Sequence, residues 1–182
     1  TKTQVNSSIF EHRHITNEPA TEWIIERLPK DGKLGYDPWL LTSDQVKRYK
    51  AACKKASGSL VAVEQNPIDN IWKDQPPPPL APVWHLDDAY TGETVKKKQD
   101  RIAAFLRTEG VDAVLLTTPD SINWLFNVRG GDVPYTPFAL SFAIMHADAS
   151  SDWFIDFRKL TPSLREKIGN YAHLNDPNSI GT

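Results

Sequence analysis

The sequence is poor in the residues and motifs that build disulfide frameworks and metal centres. Its 182 residues include one cysteine, Cys53, so no internal disulfide can form. Because cytosolic proteins keep their thiols reduced, we expect a cytoplasmic location, with Cys53 as a small core residue. The H-E-x-x-H, C-x-x-C and EF-hand patterns are missing, and so are G-x-S-x-G, the P-loop and G-x-G-x-x-G. Metals, catalytic nucleophiles and nucleotide phosphates therefore have no recognisable anchor.

Charge and hydropathy exclude two further classes of partner. The formal net charge is −2, whereas a nucleic-acid-binding protein would carry a basic surface. No apolar run approaches the roughly 20 residues that a membrane-spanning helix needs. The densest basic run, Lys96 to Lys98, lies in a helical pattern, and we interpret it as a solvated helix face. We expect neither nucleic acid nor a membrane as a partner.

Two groups of polar residues could supply a site, and each has a simpler explanation. His12 and His14 would share one face of a strand, but no convincing set of further ligands lies near them, which favours a solvated edge. Asp87 and Asp88 lie in a loop, where aspartate side chains bond to nearby backbone amides. From the residue types alone we assign no catalytic residue and no metal ligand.

A proline-rich segment at 74–83, D-Q-P-P-P-P-L-A-P-V, divides the chain. Four consecutive prolines can neither continue a helix nor pair inside a sheet, which favours a stiff polyproline II linker. Recognition by an SH3-like module is the alternative interpretation. Helical and strand patterns alternate on both sides, as in α/β proteins. We therefore predict two α/β lobes, at 1–73 and 84–182, joined by this linker.

Hydrophobic spacing and capping residues predict the individual elements. Thr42 and Gln45 have the spacing of a capping box, and Thr161 precedes a proline that opens another helix. The apolar run 114–116 predicts a fully buried strand, and Trp124 is expected in the core. In all, the patterns predict helices at 19–28, 42–57, 68–72, 92–109 and 119–126 and after 161, and strands at 33–36, 60–63, 112–117, 138–146 and 152–157.

The run N-V-R-G-G-D at 127–132 ends an apolar segment with charged and flexible residues. Gly130 and Gly131 allow a positive φ or a close approach of the backbone to another group. Arg129 offers a planar fork that can hold a carboxylate or carbonyl oxygens. Two interpretations remain open. Either the loop forms the lip of a binding site, or an Arg129–Asp132 salt bridge closes a turn.

Several stretches together resemble the three-domain cytosolic Xaa-Pro aminopeptidases, also called aminopeptidase P, of the creatinase and prolidase superfamily. The most specific are I-D-N-I-W-K-D-Q-P at 68–76 and W-L-F-N-V-R-G-G-D-V at 124–133. L-G-Y-D-P-W-L at 34–40 and D-A-Y-T-G at 88–92 support them. The resemblance covers positions 1–174, which is nearly the whole sequence.

The resemblance implies two lobes with the creatinase N-terminal fold, each a mixed sheet flanked by helices. Residues 1–73 would be the latter part of the first, and 84–182 a second that is truncated at its C-terminus. The catalytic pita-bread domain of these hydrolases, with its dinuclear metal centre, usually manganese, has no counterpart in the sequence. We therefore expect no cofactor in this chain, and no activity from it alone.

The resemblance also implies a role for the loop and a set of partners. In similar enzymes this segment faces the mouth of the catalytic cleft and shapes the pocket for the peptide's N-terminal residue. The expected partners are the missing catalytic domain, a peptide with proline in second place and, in the full protein, a second copy in a homodimer. The alternative is a stand-alone binding module derived from such an enzyme. The candidate cleft residues are Asn127, Arg129, Gly130, Gly131, Asp132 and Tyr135.

Overall fold

The computed structural model describes residues 3–181 and divides the chain into two compact units. The first unit ends at Pro76 and the second begins at Pro77, inside the proline run. Both units combine helices with strands, which confirms the predicted mixed α/β class. Within the described residues, no helix is long and apolar enough to cross a membrane.

The first unit is a pair of parallel strands with helices packed beside it. Its core is small, with Ile24, Ala52 and Cys53 buried, and the prediction of Cys53 as a core residue is confirmed. The predicted capping box is also confirmed, since the backbone N–H of Gln45 donates to the Thr42 hydroxyl and the N–H of Thr42 donates to the Gln45 side chain. The elements are α1 (Ala20–Arg27), β1 (Lys33–Tyr36), α2 (Ser43–Lys55), β2 (Ser59–Ala62) and α3 (Pro67–Ile71).

The second unit holds the larger core, built on a mixed four-stranded sheet and a separate two-stranded ribbon. Trp153 and Phe126 lie at its centre with their ring centroids 5.0 Å apart. Two 3₁₀ turns, Phe157–Lys159 and Pro177–Gly181, follow the strands. The other elements are β3 (Val83–His85), α4 (Asp88–Thr91), α5 (Val95–Thr108), β4 (Ala113–Leu116), α6 (Pro119–Leu125), β5 (Val128–Gly130), β6 (Phe142–His146), β7 (Ser151–Phe154), α7 (Pro162–Gly169) and β8 (His173–Asn175).

Strand order explains how the second unit is assembled. The sheet runs β4-β6-β7-β8, with antiparallel pairs except for the parallel pair β7 and β8. The ribbon pairs β3 with β5 in antiparallel register. β3, β5 and β8 were not predicted, because each has only three residues, which is too short for the hydrophobic alternation of a strand to be recognised.

Two predictions for the sheet are wrong. The strand predicted at 138–146 begins only at Phe142, and the small residues Ala139 and Ala143 are buried while Phe142 is exposed. Ala139 is held against α6 because its backbone N–H and C=O both bond to the Asn123 side chain at 3.1 Å. The strand predicted to be fully buried is the edge strand β4, and its Leu115 is exposed.

Two predictions for the helices are also wrong, since Trp124 is 41% exposed and Lys98 is only 1% exposed. α6 turns Ile122 and Leu125 into the core, so Trp124 between them faces outward. Lys98 lies on the inner face of α5, where its Nζ donates to the Trp124 carbonyl at 2.7 Å. Only Lys96 and Lys97 of the basic run have exposed side chains.

Candidate functional site

Arg129 reaches the surface because of its place in the β3–β5 ribbon. It lies at the middle of β5, directly opposite Trp84 of β3. Opposite residues of an antiparallel pair share a face, so the Trp84 and Arg129 side chains stand side by side. Val128 and Val83, on the other face, are buried. The ribbon therefore presents one aromatic and one cationic side chain outward.

Asn127 forms the joint between α6 and this ribbon. Its backbone is left-handed, with a φ of 51°, and the residue is fully buried. Its Nδ2 donates to Asp88 Oδ1 at 2.8 Å and to the Glu93 carbonyl at 2.9 Å, while Oδ1 accepts from Lys98 Nζ. Both N–H donors of the amide are used, so Asn127 supports the loop from inside and has no donor left for a ligand.

The glycines serve close approach and not a left-handed turn, because neither has a positive φ. A Cβ built on Gly130 would lie 2.8 Å from the backbone N and Cα of Ala139, where no side chain fits. A Cβ on Gly131 would meet the Ala81 methyl at 3.2 Å, a tight but less severe contact. Gly130 therefore allows the ribbon to lie against the segment that leads to β6.

Asp132 is an internal anchor, so the alternative interpretation, an Arg129–Asp132 salt bridge that closes a turn, is wrong. Its buried carboxylate accepts from Lys159 Nζ at 2.7 Å, from the Leu140 N–H at 2.7 Å and from the Ala81 N–H at 3.2 Å. Arg129 instead donates from Nη1 to the carbonyl of its neighbour Val128. Lys159 could not be predicted from the sequence, because it lies 27 residues from Asp132 and no local pattern links the two.

Tyr135 stands at the tip of the loop that follows. Its side chain is fully exposed and its φ is 60°, an uncommon conformation for a bulky residue. Val133 and Thr136 bridge across the tip, with the Thr136 N–H donating to the Val133 carbonyl at 3.1 Å. Of the predicted residues, Asn127, Gly130 and Asp132 are buried supports. Arg129 and Tyr135 carry the side chains that a partner could meet.

Cationic and aromatic groups surround the base of the ribbon. Burial lowers the pKa of Lys98, and the positive charge of Arg129 acts in the same direction. Lys98 Nζ lies 4.4 Å from the Trp124 ring centroid, and the Arg101 guanidinium lies 5.5 Å from the same centroid. The bond from Arg101 in turn lowers the pKa of Glu93. Sequence analysis missed Lys98 and Arg101, although their i, i+3 spacing was a signal that they share a helix face.

Metal ligands are not gathered at this site. Across residues 3–181, no three histidine, cysteine, aspartate or glutamate side chains lie together in a group that could hold a metal ion. The acidic side chains near the loop are engaged otherwise: Asp132 bonds to Lys159, and Glu93 bonds to Arg101. The described residues therefore do not fit a metal centre.

The fold and this loop define a class of domain that occurs in larger proteins. Residues 74–182 match the Creatinase/Prolidase N-terminal domain family, and the chain belongs to this family. Xaa-Pro aminopeptidase 2 of Sus scrofa is 33% identical over 74% of the chain. Probable Xaa-Pro aminopeptidase P of Aspergillus fumigatus is 31% identical over 92% of it. The resemblance to Xaa-Pro aminopeptidases is thus confirmed.

A solved structure extends this similarity to the fold. X-prolyl aminopeptidase from Caenorhabditis elegans, a cytosolic enzyme with a di-nuclear active site, superposes with a TM-score of 0.77 at 30% identity over 87% of the chain. The chain spans 26% of that protein and 20% of the Sus scrofa relative. It corresponds to the N-terminal portion of these relatives.

Proposed function

We propose that this chain is the non-catalytic N-terminal part of a metallopeptidase that removes the first residue from peptides with proline in second place. Its N-terminal match to Xaa-Pro aminopeptidases, one with a di-nuclear active site, supports the proposal. The metals, for which manganese is our prediction, would lie in a separate catalytic domain and activate water there. A homodimer and a cytoplasmic location also stay predictions.

Within such an enzyme, the second unit would wall the catalytic cleft and shape the entry of the peptide. Arg129 carries this proposal. Its guanidinium has five N–H donors, and the Val128 carbonyl accepts from only one of its nitrogens. Planar donors of this kind hold carboxylate or carbonyl oxygens, and holding a substrate in place raises the rate through orientation. Tyr135 would contribute a second exposed contact, with Asn127, Gly130, Gly131 and Asp132 as internal supports.

Arg129→Ala is therefore expected to lower kcat/KM on Xaa-Pro peptides in the polypeptide that joins this chain to a catalytic domain. A hydrogen bond to a charged group contributes about 1.5–3 kcal/mol, so the loss should be roughly tenfold or more. The free energy of unfolding should change by no more than about 0.5 kcal/mol, since the guanidinium supports no other element. Steady-state kinetics and chemical denaturation measure the two quantities.

Arg48→Ala, an exposed arginine on α2 in the first unit, is the matched control and should leave both quantities unchanged. Equal kcat/KM for Arg129→Ala and its parent would remove the basis of the cleft assignment.

The 182-residue chain alone is expected to release no N-terminal residue from Xaa-Pro peptides, even with manganese added. A hydrolase of this kind needs side chains that converge on metal ions, and the described residues offer no such group. A discontinuous peptidase assay on the purified chain, with a bona fide Xaa-Pro aminopeptidase as positive control, makes the measurement. Turnover that copurifies with the chain and saturates with substrate contradicts the proposal.

A further inference from the structure

The buried Lys159–Asp132 pair ties three separate segments to one carboxylate. The Asp132 side chain has no exposed surface and that of Lys159 is 6% exposed. Besides Lys159, the carboxylate accepts from the N–H of Ala81, just before β3, and from the N–H of Leu140, just before β6. Lys159 Nζ also donates to the Leu140 carbonyl at 3.2 Å. Both ends of the loop 133–139 are thus fastened at one point.

The turn that carries Lys159 is itself fixed. It spans Phe157–Lys159, and the Asp156 side chain caps it by accepting from the Arg158 N–H at 2.9 Å. Lys159 comes at the end of this turn, two strands away in sequence from the loop it holds. Burial of a lysine costs desolvation free energy, and the Asp132 carboxylate offsets its charge here.

The loop that the pair fastens is strained where it is most exposed. Tyr135 has a positive φ, which costs free energy in a non-glycine residue and persists only when the surroundings enforce it. Its side chain is fully exposed, so no packing of the ring enforces that conformation. The backbone enforces it: the Thr136 N–H donates to the Val133 carbonyl across the turn, and Asp132 and the Gly130 N–H bond to the 137–140 segment at the ends of the loop.

We propose that Lys159 is a positioning residue: through Asp132 it fixes the loop 133–139, and so sets where Tyr135 and the adjacent Arg129 strand meet a peptide substrate. This inference rests on the proposed function for its kinetic consequence. Its structural consequence can be measured on the chain alone. The two are therefore tested separately.

The first test is chymotrypsin cleavage after Tyr135 under native conditions. Lys159→Met frees the loop, and cleavage there should become about tenfold faster, because cleavage tracks the population of the open form. Mass spectrometry identifies the fragments that end at Tyr135 and begin at Thr136. Lys167→Met, an exposed lysine on α7, is the control and should leave the rate unchanged.

Removing one partner of a buried pair can prevent folding, so a second variant is needed. The double substitution Asp132→Asn with Lys159→Met removes both charges and keeps an oxygen that can accept from Leu140 or Ala81. It should fold, as shown by a cooperative thermal transition, and should still be cleaved faster at Tyr135. A folded double variant cleaved at the parent rate overturns the inference.

The second test is kinetic, in the polypeptide that joins the chain to a catalytic domain. The folded Lys159 variant should raise KM for Xaa-Pro peptides about fivefold and leave kcat within about twofold, as expected when ground-state positioning is lost. A global loss of folding would instead lower kcat in proportion to the active fraction. If Arg129→Ala raises KM and the Lys159 variant does not, the positioning inference is wrong. If neither changes kcat/KM while cleavage is faster, the cleft assignment of the proposed function is wrong and the loop's dependence on Lys159 stands.

Discussion

Trp153→Ala is expected to lower the free energy of unfolding of the second unit by about 3–5 kcal/mol. Trp153 is fully buried on β7, packs against the Phe126 ring, and its Nε1 donates to the Ser141 hydroxyl at 2.9 Å. Truncation leaves a large cavity in the core and removes the donor to the Ser141 hydroxyl. Chemical denaturation followed by circular dichroism measures the change.

Trp124→Ala is the matched control for this prediction. Trp124 is 41% exposed and contacts Lys98 and Arg101 through its ring face, so its removal should cost no more than about 1 kcal/mol. Equal losses for the two tryptophans would contradict the assignment of Trp153 to the core. A larger loss of stability for Trp124→Ala than for Trp153→Ala would place Trp124, and not Trp153, in the core.

Lys98→Met is expected to destabilise the second unit by about 2–4 kcal/mol, although it replaces a charge with an apolar side chain of similar length. Lys98 Nζ supplies the donor for Asn127 Oδ1 and for the Trp124 carbonyl. The Asn127 oxygen is left without a donor, whereas the Trp124 carbonyl still accepts from the Asn127 N–H at 3.3 Å. A hydrogen bond from a charged donor contributes about 1.5–3 kcal/mol, and part of the loss is recovered because a buried charge is removed.

Lys97→Met, one residue earlier on the exposed side of α5, should change stability by no more than about 0.5 kcal/mol. Thermal and denaturant unfolding of the two variants, side by side, makes the comparison. If both lysines prove neutral, Lys98 does not hold the joint between α6 and the ribbon.

Local signals in the sequence predicted most of the fold correctly. The Thr42 cap and the Pro119 and Pro162 helix starts act within four residues, and each appears at its predicted place. The mixed α/β class followed from the alternation of such elements. These features could be predicted because backbone hydrogen bonding and side-chain capping are decided by near neighbours.

Features that depend on distant residues were predicted poorly. Lys98 looks solvated in a basic run, yet it is buried because Asn127, 29 residues later, offers it an oxygen. The strand predicted at 138–146 begins only at Phe142, and the buried residues of this segment include the small Ala139 and Ala143. At the candidate site, residue types drew attention to the R-G-G-D segment, whose role in a cleft stays a prediction. Its internal partners, above all Lys159, could not be inferred because their pairing spans separate elements.

Because Cys53 is buried, the reactivity of its thiol can report when the first unit unfolds. The thiol is fully enclosed in the core of the first unit, and burial raises its pKa, so the reactive thiolate is scarce while that unit is closed. Since no other cysteine exists, alkylation at increasing denaturant records only when the first unit opens. Circular dichroism records the sum of both units. Comparing the denaturant dependence of alkylation with that of the circular dichroism signal therefore shows whether the two units unfold together or one after the other. No label has to be added.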